Sequence, residues 1–272
     1  MRLVRPAALA LTIVAGLASN VRSASGQSFG DIGARIAPQY HSYDLRSPSN
    51  TRISEFSIPL YASMPITPSF GLDLGTAWVD SRVTQTSSGS TAHSNISGLT
   101  DTQLRGTYVF GTDFVVLTAG LNLPTGQSTV SEKQALAASL IGSDFLAFPI
   151  SNMGTGFGLT AGVAVARPVG DWNVGGGASV RRSSQYDPFD ASGAGTPVLH
   201  YQPGNEYRLR AGVDRAIGTG RAALGLTYSK FADDNLGGSI YNTGDRYLTT
   251  ASYDNALNGG TLTLSAWNLF RT

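Results

Sequence analysis

The chain has 272 residues, a formal net charge of +1, no cysteine, 33 glycines and 14% charged residues. Without cysteine there is no disulfide framework, thiolate metal site or lipid anchor on a cysteine. The near-zero net charge leaves no electrostatic footprint for nucleic acid, and the charge content is well below the roughly 25% of soluble domains.

The first element in chain order is MRLVRPAALALTIVAGLASNVRSASGQ. Arg2 and Arg5 precede an apolar run from Ala7 to Ala18, and small residues follow at Ala24, Ser25 and Gly26. The run is too short to span a bilayer and has the layout of a cleaved secretory signal. The expected organisation is a signal peptide over 1–26 and one domain over 27–272.

Beyond residue 28, period-two patterning replaces helical periodicity. Strands are predicted at 31–43, 52–64, 68–84, 100–110, 113–123, 153–166, 171–183, 205–215, 219–231, 245–255 and 259–270. Side chains of a strand alternate between its faces, and in most of these segments one parity is apolar. Leu72, Leu74 and Trp78 form one such row, Val115, Leu117, Ala119 and Leu121 another, and Leu159, Ala161, Val163 and Val165 a third. The opposite parity is small, polar or charged. In NEYRLRAGVDR, Glu206, Arg208, Arg210 and Asp214 share one face while Tyr207, Leu209, Ala211 and Val213 share the other.

Alternation alone fits a soluble β-sandwich or lipocalin-like barrel, with the oily row inside, as well as a membrane barrel with the oily row in lipid. The connections discriminate. Joins after the second, fourth, sixth, eighth and tenth strands are short. Those after the odd-numbered strands are mostly long: 85–99, 124–152, 184–204 and 232–244, with only 44–51 modest. Such sorting is expected of an all-β, up-and-down antiparallel transmembrane β-barrel with short periplasmic turns and long outer loops. Tyr61, Trp78, Phe110, Trp172, Phe231 and Phe270 near strand ends fit interfacial girdles, although aromatics are also simply common in strands.

On this reading the lumen-facing residues are Arg35, Gln39, His41, Glu55, Asp73, Gln103, Arg105, Glu206, Arg208, Arg210 and Asp214. A mid-membrane arginine facing lipid would cost about 2–4 kcal/mol, so the register is strongly specified. The mixed signs predict cross-barrel ion pairs instead of a ring of one charge. An odd strand count is awkward, because such barrels have an even number of strands. The expectation is about 12 strands, the last lying beyond Thr272, or one strand hidden in ALAASLIGSDFLAF (135–148). That segment is equally compatible with a short helix folded into the long loop.

Catalytic and metal chemistry find little support. The three histidines, His41, His93 and His200, are scattered, with His93 and His200 expected in loops, so no serine–histidine arrangement is spelled out. Asp187 and Asp190 in one loop and Asp233 and Asp234 in another are the only rim carboxylates that could pair or hold calcium; solvated loop charges are the simpler reading. The runs GTGFG and VGGG lack the strand-to-helix context of a nucleotide loop and read as clearance inside a barrel. No cofactor or metal is expected.

The segment QLRGTYVFGTDFVVLTAGLNLPTG (103–126) resembles outer-membrane proteins of the "MetA-pathway of phenol degradation" family, in which a strand, a tight turn and a second strand lead to Leu-Pro-Thr-Gly at the start of an outer loop. Leu123, Pro124, Thr125 and Gly126 carry the likeness, which covers about two dozen residues well and the rest in architecture. The resemblance implies a transporter-like outer-membrane barrel for small hydrophobic or aromatic compounds. The expected function is therefore a non-enzymatic channel in the outer membrane. Its partners are membrane lipid, a small-molecule solute and the outer-membrane assembly machinery, with no nucleic acid. The alternative is a structural or adhesive barrel with ligand-binding outer loops and a plugged lumen.

Overall fold

A computed structural model of the chain describes residues 32–272 apart from 46–49, 88, 112–114, 144–145, 147, 191–198 and 258–259. The expected signal sequence lies outside the described residues. The strands are β1 (Gly33–Ile36), β2 (Gln39–Leu45), β3 (Asn50–Thr67), β4 (Phe70–Ser87), β5 (Ser90–Leu99), β6 (Thr102–Phe110), β7 (Val115–Leu123), β8 (Gly158–Val169), β9 (Trp172–Ser183), β10 (Tyr201–Gln202), β11 (Glu206–Ile217), β12 (Gly220–Phe231), β13 (Asp234–Leu236), β14 (Ser239–Tyr241), β15 (Arg246–Leu257) and β16 (Gly260–Arg271), with helix α1 (Glu132–Ile141) between β7 and β8.

Thirteen strands form one sheet in the order β1-β3-β4-β6-β7-β8-β9-β11-β12-β15-β16, with β2 also on β3 and β5 also on β4. The pairs β1/β2 and β5/β6 are each one strand interrupted by a short break. The sheet therefore has an eleven-membered path in chain order, an up-and-down antiparallel meander whose members agree with the predicted segments to within about five residues, except where β5 adds Ser90–Leu99. β10, β13 and β14 form a separate small sheet outside it.

Ladder partners share a face, so the register tests the alternation directly. One row runs Tyr108, Leu117, Val163 and Ala178 from β6 to β9, then Leu209, Tyr228, Tyr247 and Phe270 from β11 to β16. This apolar face is open: Val163 is 42%, Leu224 54% and Leu209 56% exposed. Its charged side chains in β8–β12 stand toward the strand ends, Arg167 and Arg215 toward the short turns, Arg182 and Lys230 toward the long loops. Eight residues separate the levels of Tyr207 and Arg215; at about 3.3 Å per residue and a tilt near 40° that is roughly 20 Å, close to the height of a bilayer-facing band. Arg215 lies over the Trp172 ring at 5.5 Å and bonds Asp171, as an interfacial aromatic with a cationic neighbour does.

Three expectations are corrected. The first concerns 85–99, read as a loop: β4 runs on to Ser87 and β5 pairs back from Ser87↔Ser90 to Trp78↔Leu99. The turn holds Gly89 at φ 83, a conformation that favours glycine. Its Ser/Thr-rich composition suggested a turn region, but hydroxyl pairs such as Thr86 Oγ1–Thr91 Oγ1 at 3.2 Å stabilise a strand pair equally well. His93 therefore lies in β5, with Nδ1 3.3 Å from Thr84 Oγ1, and not in a loop. Second, Tyr61 and Phe231 do not belong to an apolar girdle. Tyr61 pairs with Gly75 and Phe231 with Glu206, on the polar face. Third, residues 232–244 and the end of 184–204 are not plain loops, since they hold β13, β14 and β10.

The segment 135–148 is helical in its first half. Ser131 caps α1 in a capping box, its own backbone N–H donating to Gln134 Oε1 at 3.0 Å. Ala137 and Ile141 pack with Ile53, Val79, Val83, Ile96, Leu146, Phe148 and Met153 in the chain's one buried apolar cluster among the described residues. That cluster sits on the polar-face parity of β3 and β4, where they extend past the rest of the sheet. The loop between β7 and β8 thus folds onto the same face that carries the charges.

Candidate functional site

The polar face gathers most of the sequence-predicted residues into two connected groups, with Asp214 and the pair His41 and Glu55 apart from both. Arg35, Gln39, Asp73, Gln103 and Arg105 line one cavity of about 640 Å³ together with Tyr61. Arg105 donates to Asp73 Oδ2 from Nε at 3.0 Å and from Nη2 at 2.8 Å across β4 and β6. A second cavity, about 440 Å³, is lined by Gln103, Arg105, Arg181, Glu206, Arg208 and Arg210. It collects residues from β6 through β11, so the sheet curves around it. Glu206 is buried, accepts from Arg208 Nε at 3.0 Å, pairs across the ladder with Arg181 and lies 3.8 Å from Arg246 Nη2. Asp214 stands toward the short-turn end, accepting from Arg221 Nε and Asn173 Nδ2, both at 2.8 Å. Instead of the expected cross-barrel pairs, the ion pairs of this face among the described residues lie within β11 (Arg208–Glu206), between adjacent strands (Arg105–Asp73, Arg221–Asp214) or two strands apart (Arg246–Glu206).

The glycines of this face keep the wall close and smooth. A Cβ on Gly162 would lie 2.9 Å from Thr118 Oγ1 and 3.0 Å from Ser179 Cβ, and one on Gly177 would lie 2.9 Å from the Val163 carbonyl oxygen. Neither leaves room for a side chain without a shift.

Sequence reasoning missed the residue that holds the inserted loop. Asp101 sits in the break between β5 and β6. Its Oδ1 accepts from the Gly126 N–H at 3.0 Å, and its Oδ2 from the Thr155 N–H and Asn122 Nδ2, both at 2.7 Å. One carboxylate therefore clamps both ends of the loop spanning 124–157. Thr125 adds a second tie: its hydroxyl accepts from the Thr102 N–H at 2.8 Å and donates to the Thr100 carbonyl at 3.2 Å. A Cβ on Gly126 would fall 2.1 Å from the Met153 carbonyl oxygen. The Leu-Pro-Thr-Gly segment is thus the entry anchor of the loop, with threonine for the two bonds and glycine for the close approach. The available signal was Asp101 itself, an acid interrupting the alternation of GLTDTQ.

His41 and Glu55 are cross-strand partners on β2 and β3, under the middle of the loop. Glu55 is fully buried; it accepts from Ser81 Oγ at 3.4 Å and from the Ile150 N–H at 3.2 Å. Its level, opposite Ser81, is six residues past Gly75, the last row that β4 shares with β6, so it lies beyond the bilayer-facing band. Burial pushes its carboxyl from 4.5 up to about 7, although both hydrogen bonds pull the other way. Burial likewise lowers the pKa of His41. The docked carboxyl holds its proton more tightly than a freed one. Its contribution to docking is therefore complete below about pH 4.5 and is lost as the pH rises through 7. Protease cleavage within 124–157 is expected to be faster at pH 8 than at pH 5, and Glu55→Gln is expected to flatten that difference.

The loop carboxylates are otherwise engaged. Asp187 Oδ1 lies 2.6 Å from His200 Nδ1, Asp233 accepts from Asn242, and Asp234 accepts from the Tyr201 hydroxyl and the Gly204 N–H. Among the described residues no group of three or more His, Asp or Glu is disposed to hold a metal ion.

These features define an all-β, up-and-down antiparallel fold of the barrel type. The fold is similar to the COG4313 outer membrane channel from Pseudomonas putida F1, with a TM-score of 0.56 and 15% identity over 92% of this chain and 100% of that one. It is also similar to the CymD monoaromatic hydrocarbon channel, with a TM-score of 0.53 and 11% identity over 91% of this chain and 76% of that one. No protein-family model and no curated protein sequence matches the chain.

Proposed function

We propose that the protein is an outer-membrane channel for passive passage of small molecules, with hydrophobic or aromatic compounds as its solutes. The observation that carries this reading is the inverted surface. Leucines and valines stand open along one face of β7, β8, β9, β11 and β12, while the ion-paired face lines the cavities. In water such a face would be an aggregation liability; in hydrocarbon it is the required one. The fold likeness to two outer-membrane channels, one of them named for monoaromatic hydrocarbons, supports the solute class.

The residues proposed to face the lumen are Arg35, Gln39, His41, Glu55, Asp73, Gln103, Arg105, Glu206, Arg208, Arg210 and Asp214. The N-terminal 26 residues would direct export, and the outer-membrane assembly machinery would insert the barrel. No step of this function requires bond chemistry.

The test is uptake of a small aromatic, phenol, by cells whose own porins are deleted, with and without this protein, alongside planar-bilayer conductance. Faster uptake is the expected result. The absence of both uptake and conductance would overturn the channel reading and leave an adhesive barrel closed by its 124–157 loop.

A further inference from the structure

We propose that Arg210, with Arg208 beside it, forms a carboxylate-binding waist in the passage, making small aromatic acids a preferred solute class. The inference rests on the channel reading and deepens it.

The first observation is an imbalance of charge. Arg181, Arg208, Arg210 and Arg246 stand on the polar face around one carboxylate, Glu206. Arg208 and Arg246 reach Glu206, and Arg181 donates from Nη2 to Thr155 Oγ1 at 3.1 Å. Arg105 on the facing strand is matched by Asp73. Arg210 makes no hydrogen bond or ion pair among the described residues. A guanidinium left with all five N–H donors uncommitted is suited to receive a carboxylate in a two-pronged contact.

The second observation is location. The cavity of about 440 Å³ on the long-loop side and one of about 480 Å³ on the short-turn side are both lined by Arg210 and Gly177. This guanidinium therefore stands where the two cavities meet, beside Ala164 and Gly177. The space is open because the ladder partners of Arg210 are Gly177 and Thr227, and a Cβ at Gly177 would sit 2.9 Å from the Val163 carbonyl oxygen.

The third observation is what lies on the same level. The row Arg210, Thr227, Leu248, Leu269 crosses β11, β12, β15 and β16, and Trp267 stands one step further along β16 on the same face. At about 4.8 Å between strands, Leu248 lies roughly 10 Å from Arg210 along the wall. That separation suits a ring with a carboxylate at one end, the acid on the guanidinium and the ring on Leu248 and Trp267. A neutral hydrocarbon would use the second contact alone.

Binding of sodium benzoate and benzyl alcohol to the full chain in detergent, followed by calorimetry, tests this. Benzoate is expected to bind about tenfold or more tightly than benzyl alcohol, consistent with a hydrogen bond to a charged group, and the margin should shrink as salt rises. Arg210→Gln is expected to abolish the margin, and Arg210→Lys to restore part of it, because an ammonium keeps the charge without the planar fork. Equal binding of the two ligands by the unaltered protein, or an undiminished margin in a folded Arg210→Gln, would overturn the proposal. The comparison in the unaltered protein stands even if the variant does not fold. Phenol uptake by cells carrying the unaltered protein reads the channel independently of these binding measurements, so failure here is distinguishable from failure of the channel reading.

Discussion

Replacing Asp101 by alanine is expected to release the 124–157 loop from the wall while leaving the barrel folded. Three donors lose their acceptor at once: the Gly126 N–H, the Thr155 N–H and Asn122 Nδ2. Asn122 would retain the Gly156 carbonyl at 2.7 Å. Hydrogen bonds to charged groups contribute about 1.5–3 kcal/mol each, and water can re-solvate only part of this nearly buried site, so the loss is about 3 kcal/mol or more. It falls on the loop because the clamp joins the loop's two ends to the β5–β6 break and to β7, whereas the β6–β7 ladder has its own complete register. Loop cleavage by added protease should rise at least tenfold, and the heat-modified gel shift of the barrel should be unchanged. Single-channel conductance should increase, because the loop covers the polar face. Asp101→Asn should fall between, since its amide preserves one acceptor but turns a donor toward N–H groups. Unaltered cleavage in the alanine variant would show that the apolar cluster around Ile141 suffices to hold the loop.

The second large effect is expected from Val163→Arg. Val163 is in the middle of β8 on the open face, flanked by Leu117 and Ala178. A mid-bilayer arginine on the lipid side of a barrel costs about 2–4 kcal/mol. Ser252→Arg is the matched control, because Ser252 shares the polar face with Ala223 and Ser265 and its new guanidinium would end in water near Asp214. Unfolding in urea from lipid vesicles should show the first variant destabilised by that amount and the second by less than about 1 kcal/mol. The reverse order would mean that the apolar face is not the lipid face, and the channel reading would fall with it.

Most of the sheet was legible because strand alternation is local. Each of Tyr207, Leu209 and Val213 declares its face by its position relative to Arg208 and Arg210, whatever the rest of the chain does. The sorting of short and long joins then orders the strands as neighbours. Composition misled where both outcomes use the same residues: the serines and threonines of 85–99 suit a turn region and an exposed strand equally. Likewise the parity rule places Tyr61 and Phe231 with Arg35 and Glu206, yet their position near strand ends drew them into the girdle.

The sequence by itself determined which side chains share a face and that the face with leucine and valine needs a solvent other than water. Only the tertiary structure decided how the charges on the other face are matched, and what covers them. Asp101 meets Gly126 from 25 residues away and Thr155 from 54, and no period in the chain announces such a meeting. Arg208 and Arg210 are alike in sequence, two steps apart on one face. One finds Glu206 and the other faces open space, because the neighbours that the curved sheet delivers to each position differ.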